Sequence, residues 1–179
     1  LSRHRSRPIG ARVTLTREIF LPSYLGQSSR ETTKALLPWA CVALAAEMAG
    51  GADALLAMTA GYTATREQFG KPIGSFQAVK HPLVNVLIGV ESLRSLVYAA
   101  ATAFDANSPD AETLARMAKA LACDVYVFAA SRAVQLHGGY GFTKDFKAEK
   151  FYRDVKLCTI GEGTSEIQRL VIARQLLRG

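Results

Sequence analysis

The run Trp39–Gly61, WACVALAAEMAGGADALLAMTAG, decides the fold class. It is long and apolar enough to suggest a membrane span, yet Glu47 and Asp53 interrupt it, together with Gly50-Gly51. Its apolar residues are too dense for one amphipathic stripe, as expected of a helix buried on several sides. A packed core helix is therefore read here, and no membrane span. Outward from the run, the helix extends from about Glu31 to Glu67, with Pro38 in its opening turns. The loop Gly70-Lys71-Pro72-Ile73-Gly74 ends it, and Gly50-Gly51 allows a close crossing with a neighbour.

Three more helical segments and a short terminal one follow. The second spans about Ser75 to Ala106, closed by Asn107-Ser108-Pro109, with Leu83, Leu87, Val90 and Val97 recurring on one side. The third spans about Asp110 to His137, with Ser108 or Asp110 as N-cap and Gly138-Gly139 as its stop. A shorter, more charged fourth covers about Asp145 to Leu157. The last runs from about Ser165 to Leu177, where Ser165-x-x-Gln168 fits a capping box. Long helices joined by short loops predict an all-α fold, an antiparallel helical bundle over residues 31–179.

Residues 1–30 read differently. The formal charge of +7 is concentrated there, in Arg3, Arg5, Arg7, Arg12, Arg17 and Arg30, with Glu18 the sole acid. The alternation of Val13, Leu15, Ile19 and Leu21 reads as a strand, so the segment is expected to be an extended remnant of an upstream β domain. A nucleic-acid arm or a transit segment is the less favoured reading. Cys41, Cys123 and Cys158 lie far apart in apolar helical patterns, which indicates buried thiols in a reducing compartment, cytoplasm or mitochondrial matrix. No metal site is expected.

The loops hold the chemistry. Arg66-Glu67-Gln68-Phe69-Gly70, with Gln77 shortly after, offers a guanidinium fork for phosphate, an aromatic face, and paired amide donors and acceptors. Read alone, this is equally an ordinary helical corner. Gln135-Leu136-His137-Gly138-Gly139-Tyr140-Gly141-Phe142 places three glycines where a backbone can approach a ligand, or where a helix simply stops. His137 alone reads as structural. Ile160-Gly161-Glu162-Gly163-Thr164-Ser165-Glu166 sets an unencumbered carboxylate between two glycines, ahead of a helix whose dipole it could merely complement.

The order and spacing of these three segments, RxxFGxxxxxxQ, QxHGGYGF and EGTSEIQR, resemble the acyl-CoA dehydrogenase family over roughly residues 35–178. The resemblance implies a flavin-dependent α,β-dehydrogenation of an acyl-CoA, with FAD as cofactor and an electron-accepting flavoprotein as partner. It implies a homotetramer or homodimer, no nucleic-acid partner, and a chain that is the C-terminal part of the enzyme. Arg66, Gln68, Phe69 and Gln77 would contact the FAD of an adjacent subunit, and Gln135, Gly138 and Gly139 would complete that adenosine site. Thr164, Ser165 and Glu166 would lie at the subunit's own flavin and Gly163 at the substrate thioester. Glu162 falls on the catalytic base. Some members place that base on the first long helix instead, where this chain reads Pro38-Trp39-Ala40-Cys41 with no acid.

The sequence departs from the family pattern at three places. Pro38 and Cys41 stand where many members carry an Asp and an Arg that help hold CoA. Gly161 replaces a common Tyr, which should widen the acyl cavity, and Glu166 replaces a common Gln. An acyl-CoA oxidase, which passes electrons to oxygen, shares the same base. A non-catalytic subunit lending FAD contacts to a partner chain is a further alternative, as is a plain helical interaction module.

Overall fold

The structure, a computed structural model, describes residues 29–177, with side chains from residue 35 onward. The expected extended segment 1–30 lies outside the described residues, except for the two that open the first helix. Helix α1 covers Ser29–Thr65, α2 Gln77–Asp105, α3 Ala111–His137, α4 Ala148–Ile160 and α5 Ser165–Leu176. Helix α3 is the hub and packs against all four others. The fold is the all-α bundle that the apolar periodicity predicts.

The α1–α3 seam forms most of the core. Met48, Ala52 and Leu55 of α1 meet Ala118, Ala122, Tyr126 and Ala129 of α3, while Val86, Val90 and Leu93 of α2 close the other side. Small residues set the spacing. A Cβ on Gly51 would lie 2.7 Å from the Tyr126 ring and hydroxyl, so glycine there lets α1 pass directly over that ring. Helices α1 and α2 are each long and apolar enough to cross a membrane, but both contribute to this shared core.

Four local readings need correction. Pro38 is the tenth residue of α1 rather than part of its opening turns, because the helix begins at Ser29. The buried stripe of α2 is Val86, Val90, Leu93, Ala100 and Ala103. Leu87, read as part of it, is exposed beside Val84 and Ile88. The helix is apolar on two sides, and the close approach of Gly89 to Val125 selects which one faces α3. Helix α4 starts at Ala148, three residues later than read, because the Thr143 hydroxyl donates to the Asp145 carboxylate at 2.9 Å, with Tyr140 O 3.2 Å away as the alternative acceptor, holding those residues in a turn. Cys41 and Cys123 are buried as expected, whereas Cys158 is only half-buried.

The corner after α1 is more ordered than a loop. Glu67–Gln68 (β1) pairs antiparallel with Lys71–Pro72 (β2), in the register Glu67 to Pro72 and Gln68 to Lys71. Phe69 and Gly70 form the two-residue turn, with φ of 55° and 74°. Such a turn favours Asn-Gly, and Phe69 therefore adopts a backbone region that L-residues avoid.

Candidate cofactor and catalytic site

Two separate clefts collect most of the residues singled out by the sequence. The first, of about 550 Å³, lies between the end of α1 and the end of α3, and is lined by Arg66, Gln68, Gln135, Gly138 and Gly139. Phe69 and Gln77 do not line it. Phe69 stands on the adjacent hairpin, 91% exposed, with its ring edge-on to Phe76 at 6.1 Å, and Gln77 is the exposed first residue of α2.

The floor of this cleft is aromatic. Tyr62 stacks on His137 at 4.3 Å, Phe146 closes on both rings, and Tyr140 meets Phe146 at 5.7 Å. The Arg66 guanidinium stands 6.0 Å from the Tyr140 ring centre. His137 is structural in one respect: its Nδ1 bonds Ala133 O at 2.7 Å. Its buried Nε2 has no protein partner among the described residues, although the ring lines the cleft. Tyr62, Tyr140 and Asp145 were not singled out as ligand-facing; the aromatic spacing around the glycines was the available signal.

The glycines there differ in kind. Gly138 has φ 60° and caps α3, a conformation that favours glycine. A Cβ on Gly141 would lie 2.3 Å from Val134 O, so the chain itself forbids a side chain. Gly139 has neither constraint: nothing lies within 4 Å of its would-be Cβ. Its bareness leaves the backbone open to whatever occupies the cleft.

The second cleft, of about 580 Å³, lies between α3, the end of α4 and the start of α5, and is lined by Thr164, Ser165 and Glu166 among others. Arg169 and Asp124, paired at 2.6 Å, stand on its wall. The capping assignment shifts by one residue. Thr164, not Ser165, is the N-cap, with its Oγ1 accepting from Ile167 N at 3.3 Å. Its own backbone N–H and the Thr164 hydroxyl hold the Glu166 carboxyl below the usual carboxylate range. An anionic Glu166 at the helix N-terminus agrees with the dipole.

Glu162 and Gly163 form the turn between α4 and α5. Glu162 has φ 53° and Gly163 φ 86°. Left-handed backbone at a glutamate is uncommon and costs on the order of 1–3 kcal/mol, so the surroundings must enforce it. They do so through the two carbonyls. Gln168, freed from the expected capping box, turns its amide back to donate to Glu162 O at 2.9 Å. Lys119 Nζ donates to Gly163 O at 2.6 Å. Arg116 holds Gln168 Oε1 at 3.3 Å and pairs with Glu112 at 2.7 Å. Lys119 and Gln168 are wholly buried and Arg116 is 8% exposed, while the Glu162 side chain is exposed in this domain.

Sequence reading missed Arg116 and Lys119. The signal was available: both stand in a stretch of α3 where Ala111, Ala115, Ala118, Ala120 and Ala122 leave few positions for a solvated cation. Pro38 and Cys41, which stand at the family's CoA-holding positions, are both buried. Cys41 packs among Val42, Ala100 and Ala115. Burial pushes its thiol pKa up, opposed by the charges of Arg116 and Lys119.

Residues 31–177 match the family model described as acyl-CoA dehydrogenase, C-terminal domain. The chain belongs to the acyl-CoA dehydrogenase family. The probable acyl-CoA dehydrogenase YngJ of Bacillus subtilis is 44% identical over 137 residues, covering 76% of this chain and 36% of that protein. The 3-(aryl)acrylate reductase of Clostridium sporogenes is 40% identical over the same shares. Among solved structures, butyryl-CoA dehydrogenase from Megasphaera elsdenii superposes with a TM-score of 0.80 at 34% identity, covering 83% of this chain and 39% of that one. The chain thus spans little more than a third of the length of these acyl-CoA dehydrogenase relatives. Family members are flavoprotein oxidoreductases, and this chain corresponds to their helical domain.

Proposed function

We propose that this domain supplies the catalytic base and part of the flavin site for α,β-dehydrogenation of an acyl-CoA thioester, in the enzyme that carries it. The observation behind this reading is the turn at Glu162. A strained, carbonyl-tethered backbone presents an otherwise unencumbered carboxylate, and such strain clusters at sites where it serves a mechanism.

In this reading Glu162 takes the proton from the substrate's α-carbon. A bound FAD would supply the acceptor for the β-hydride, so that loss of proton and hydride would give an α,β-enoyl thioester and reduced flavin. A thioester α-proton is only moderately acidic, so the base must meet it in a fixed position and away from water. Gly163 would lie beside the thioester, its backbone held by Lys119. The residues present suit the cofactor. Arg66 and the aromatic floor of the first cleft match pyrophosphate and adenine, and the bare Gly139 backbone permits close approach. Thr164, Ser165 and Glu166 would hold FAD at the second cleft. Because the clefts are separate, the first suits the FAD of a neighbouring subunit, with the exposed Phe69 and Gln77 as further contacts to it. A homodimer or homotetramer follows, with an electron-accepting flavoprotein as the oxidant.

Gly161 bears on the substrate. Its φ of −69° is open to any residue, and a Cβ would meet only Leu157 O at 3.4 Å. The fold does not require glycine there, which favours a bulky or ring-bearing acyl group beside Glu162. The aryl substrate in the name of the Clostridium sporogenes relative is in keeping with this.

The test is Glu162→Gln in the enzyme carrying this domain. FAD and a product-like enoyl-CoA should still bind, while flavin reduction by saturated acyl-CoA falls at least about a hundredfold, the low end for loss of a general base. Near-normal reduction would show that another group takes the proton. Equal loss of flavin binding would point to a structural role for Glu162.

A further inference from the structure

Lys119 is the largest fully buried side chain among the described residues, in an alanine-rich stretch of α3. Burying a lysine costs more than burying an aliphatic residue of similar length, unless its amine gains something in return. Its reach is specific. From the middle of the core, Nζ extends to the carbonyl of Gly163, 44 residues away in sequence, at 2.6 Å. That carbonyl belongs to the turn whose preceding residue is Glu162. Gln168 makes the second tether, and its amide stands 2.8 Å from where a Gly163 Cβ would lie, so the turn is packed from beneath as well as pulled.

We propose that Lys119 is a positioning residue for the Glu162 carboxylate: by clamping Gly163 O it fixes the left-handed turn that aims the base at the substrate. The proposal rests on the reading of Glu162 as the base. Core filling alone does not account for the arrangement. A methionine would occupy the same volume among Ala115, Ala118 and Ala122 without an amine to satisfy, and would leave the Gly163 carbonyl unheld. Arg116 joins the same device from one turn earlier on α3, through Gln168.

The test compares Lys119→Met and Glu162→Gln in the FAD-loaded enzyme that carries this domain. Lys119→Met should keep its FAD and its affinity for enoyl-CoA. Its flavin reduction at saturating acyl-CoA should fall by about a hundredfold, the scale of a misplacement of roughly 1 Å at the reacting groups. The effect belongs in kcat and not in KM. If Lys119→Met reduces its flavin at the parental rate while Glu162→Gln is inactive, the assignment is overturned and the lysine is only part of the core. If Glu162→Gln stays active, the base reading itself fails, and the positioning role fails with it. Lys119→Ala assayed with and without propylamine covers the case in which the Met variant does not fold. Amine-dependent recovery of flavin reduction at constant FAD content supports the clamp, and reduction indifferent to the amine overturns it.

Discussion

Gln168 Nε2 lies 2.9 Å from the carbonyl oxygen of Glu162, six residues back along the chain, while its Oε1 accepts from Arg116 at 3.3 Å. One buried amide thus ties the start of α5 both to the turn before it and to α3. Replacing it with leucine strands a buried carbonyl and removes a partner of Arg116. Gln168→Leu should lower unfolding stability by about 1–3 kcal/mol, the range for orphaned buried polar groups. Chemical denaturation of the isolated domain measures this directly.

The glycines after α3 should separate on substitution. Gly141→Ala forces a Cβ into Val134 O and should cost several kcal/mol or prevent folding, as overpacking against backbone does. Gly139→Ala should leave the melting temperature within about a degree or two, since its Cβ would point into open space. The same variant in the assembled enzyme should weaken FAD binding, measured by flavin retention on gel filtration. Unchanged flavin content would remove Gly139 from the cofactor site.

Gly161→Tyr tests the cavity beside Glu162. The fold tolerates the side chain, because φ is −69° and the nearest atom to the added Cβ is Leu157 O at 3.4 Å. In the complete enzyme the variant should lose activity on branched or ring-bearing acyl-CoAs and keep it on short straight chains. Ratios of kcat/KM across graded substrates measure this, and an unchanged ranking would rule the cavity out.

These expectations show which parts of the molecule the sequence made legible. The helices followed from apolar density and glycine stops, and the three loop segments followed from residue types that few structural roles demand together. The cap of α5 was misplaced because Thr164 and Ser165 are both good N-caps, and a one-residue choice depends on where the preceding turn delivers the chain. The exposed side of α2 was misjudged because Leu87 and Val86 are equally apolar, and only packing against α3 distinguishes them. The burial of Lys119 and Arg116 was legible from the alanines around them in sequence, but their tethering role was not, because Gly163 and Gln168 lie 44 and 52 residues away.

Tyr126 sets an alkaline limit on the domain. Burial, reinforced by Cys158, Asp154 and Glu47, pushes its hydroxyl from 10.0 up to about 12. The unfolded chain releases this proton first, so folded stability is full below pH 10 and declines as pH rises from there toward 12. The loss approaches about 2–3 kcal/mol, from a shift of roughly two units. Tyr126→Phe should flatten that decline, as read by urea unfolding between pH 9 and pH 12. A parallel decline in both proteins would assign it to other groups.

Helix α3 also acts as a ruler. Lys119 under the Glu162 turn and His137 at the floor of the first cleft are 18 residues apart, which is five complete helical turns, or about 27 Å of rise. The Glu162 turn and the first cleft are therefore fixed in both spacing and azimuth by one continuous rod. Inserting a single alanine between these residues would push the Lys119 tether and the first cleft about 1.5 Å further apart and swing one relative to the other by about 100°. In the arrangement proposed above, changes of side chain along this rod would be tolerated far more readily than any change in its length.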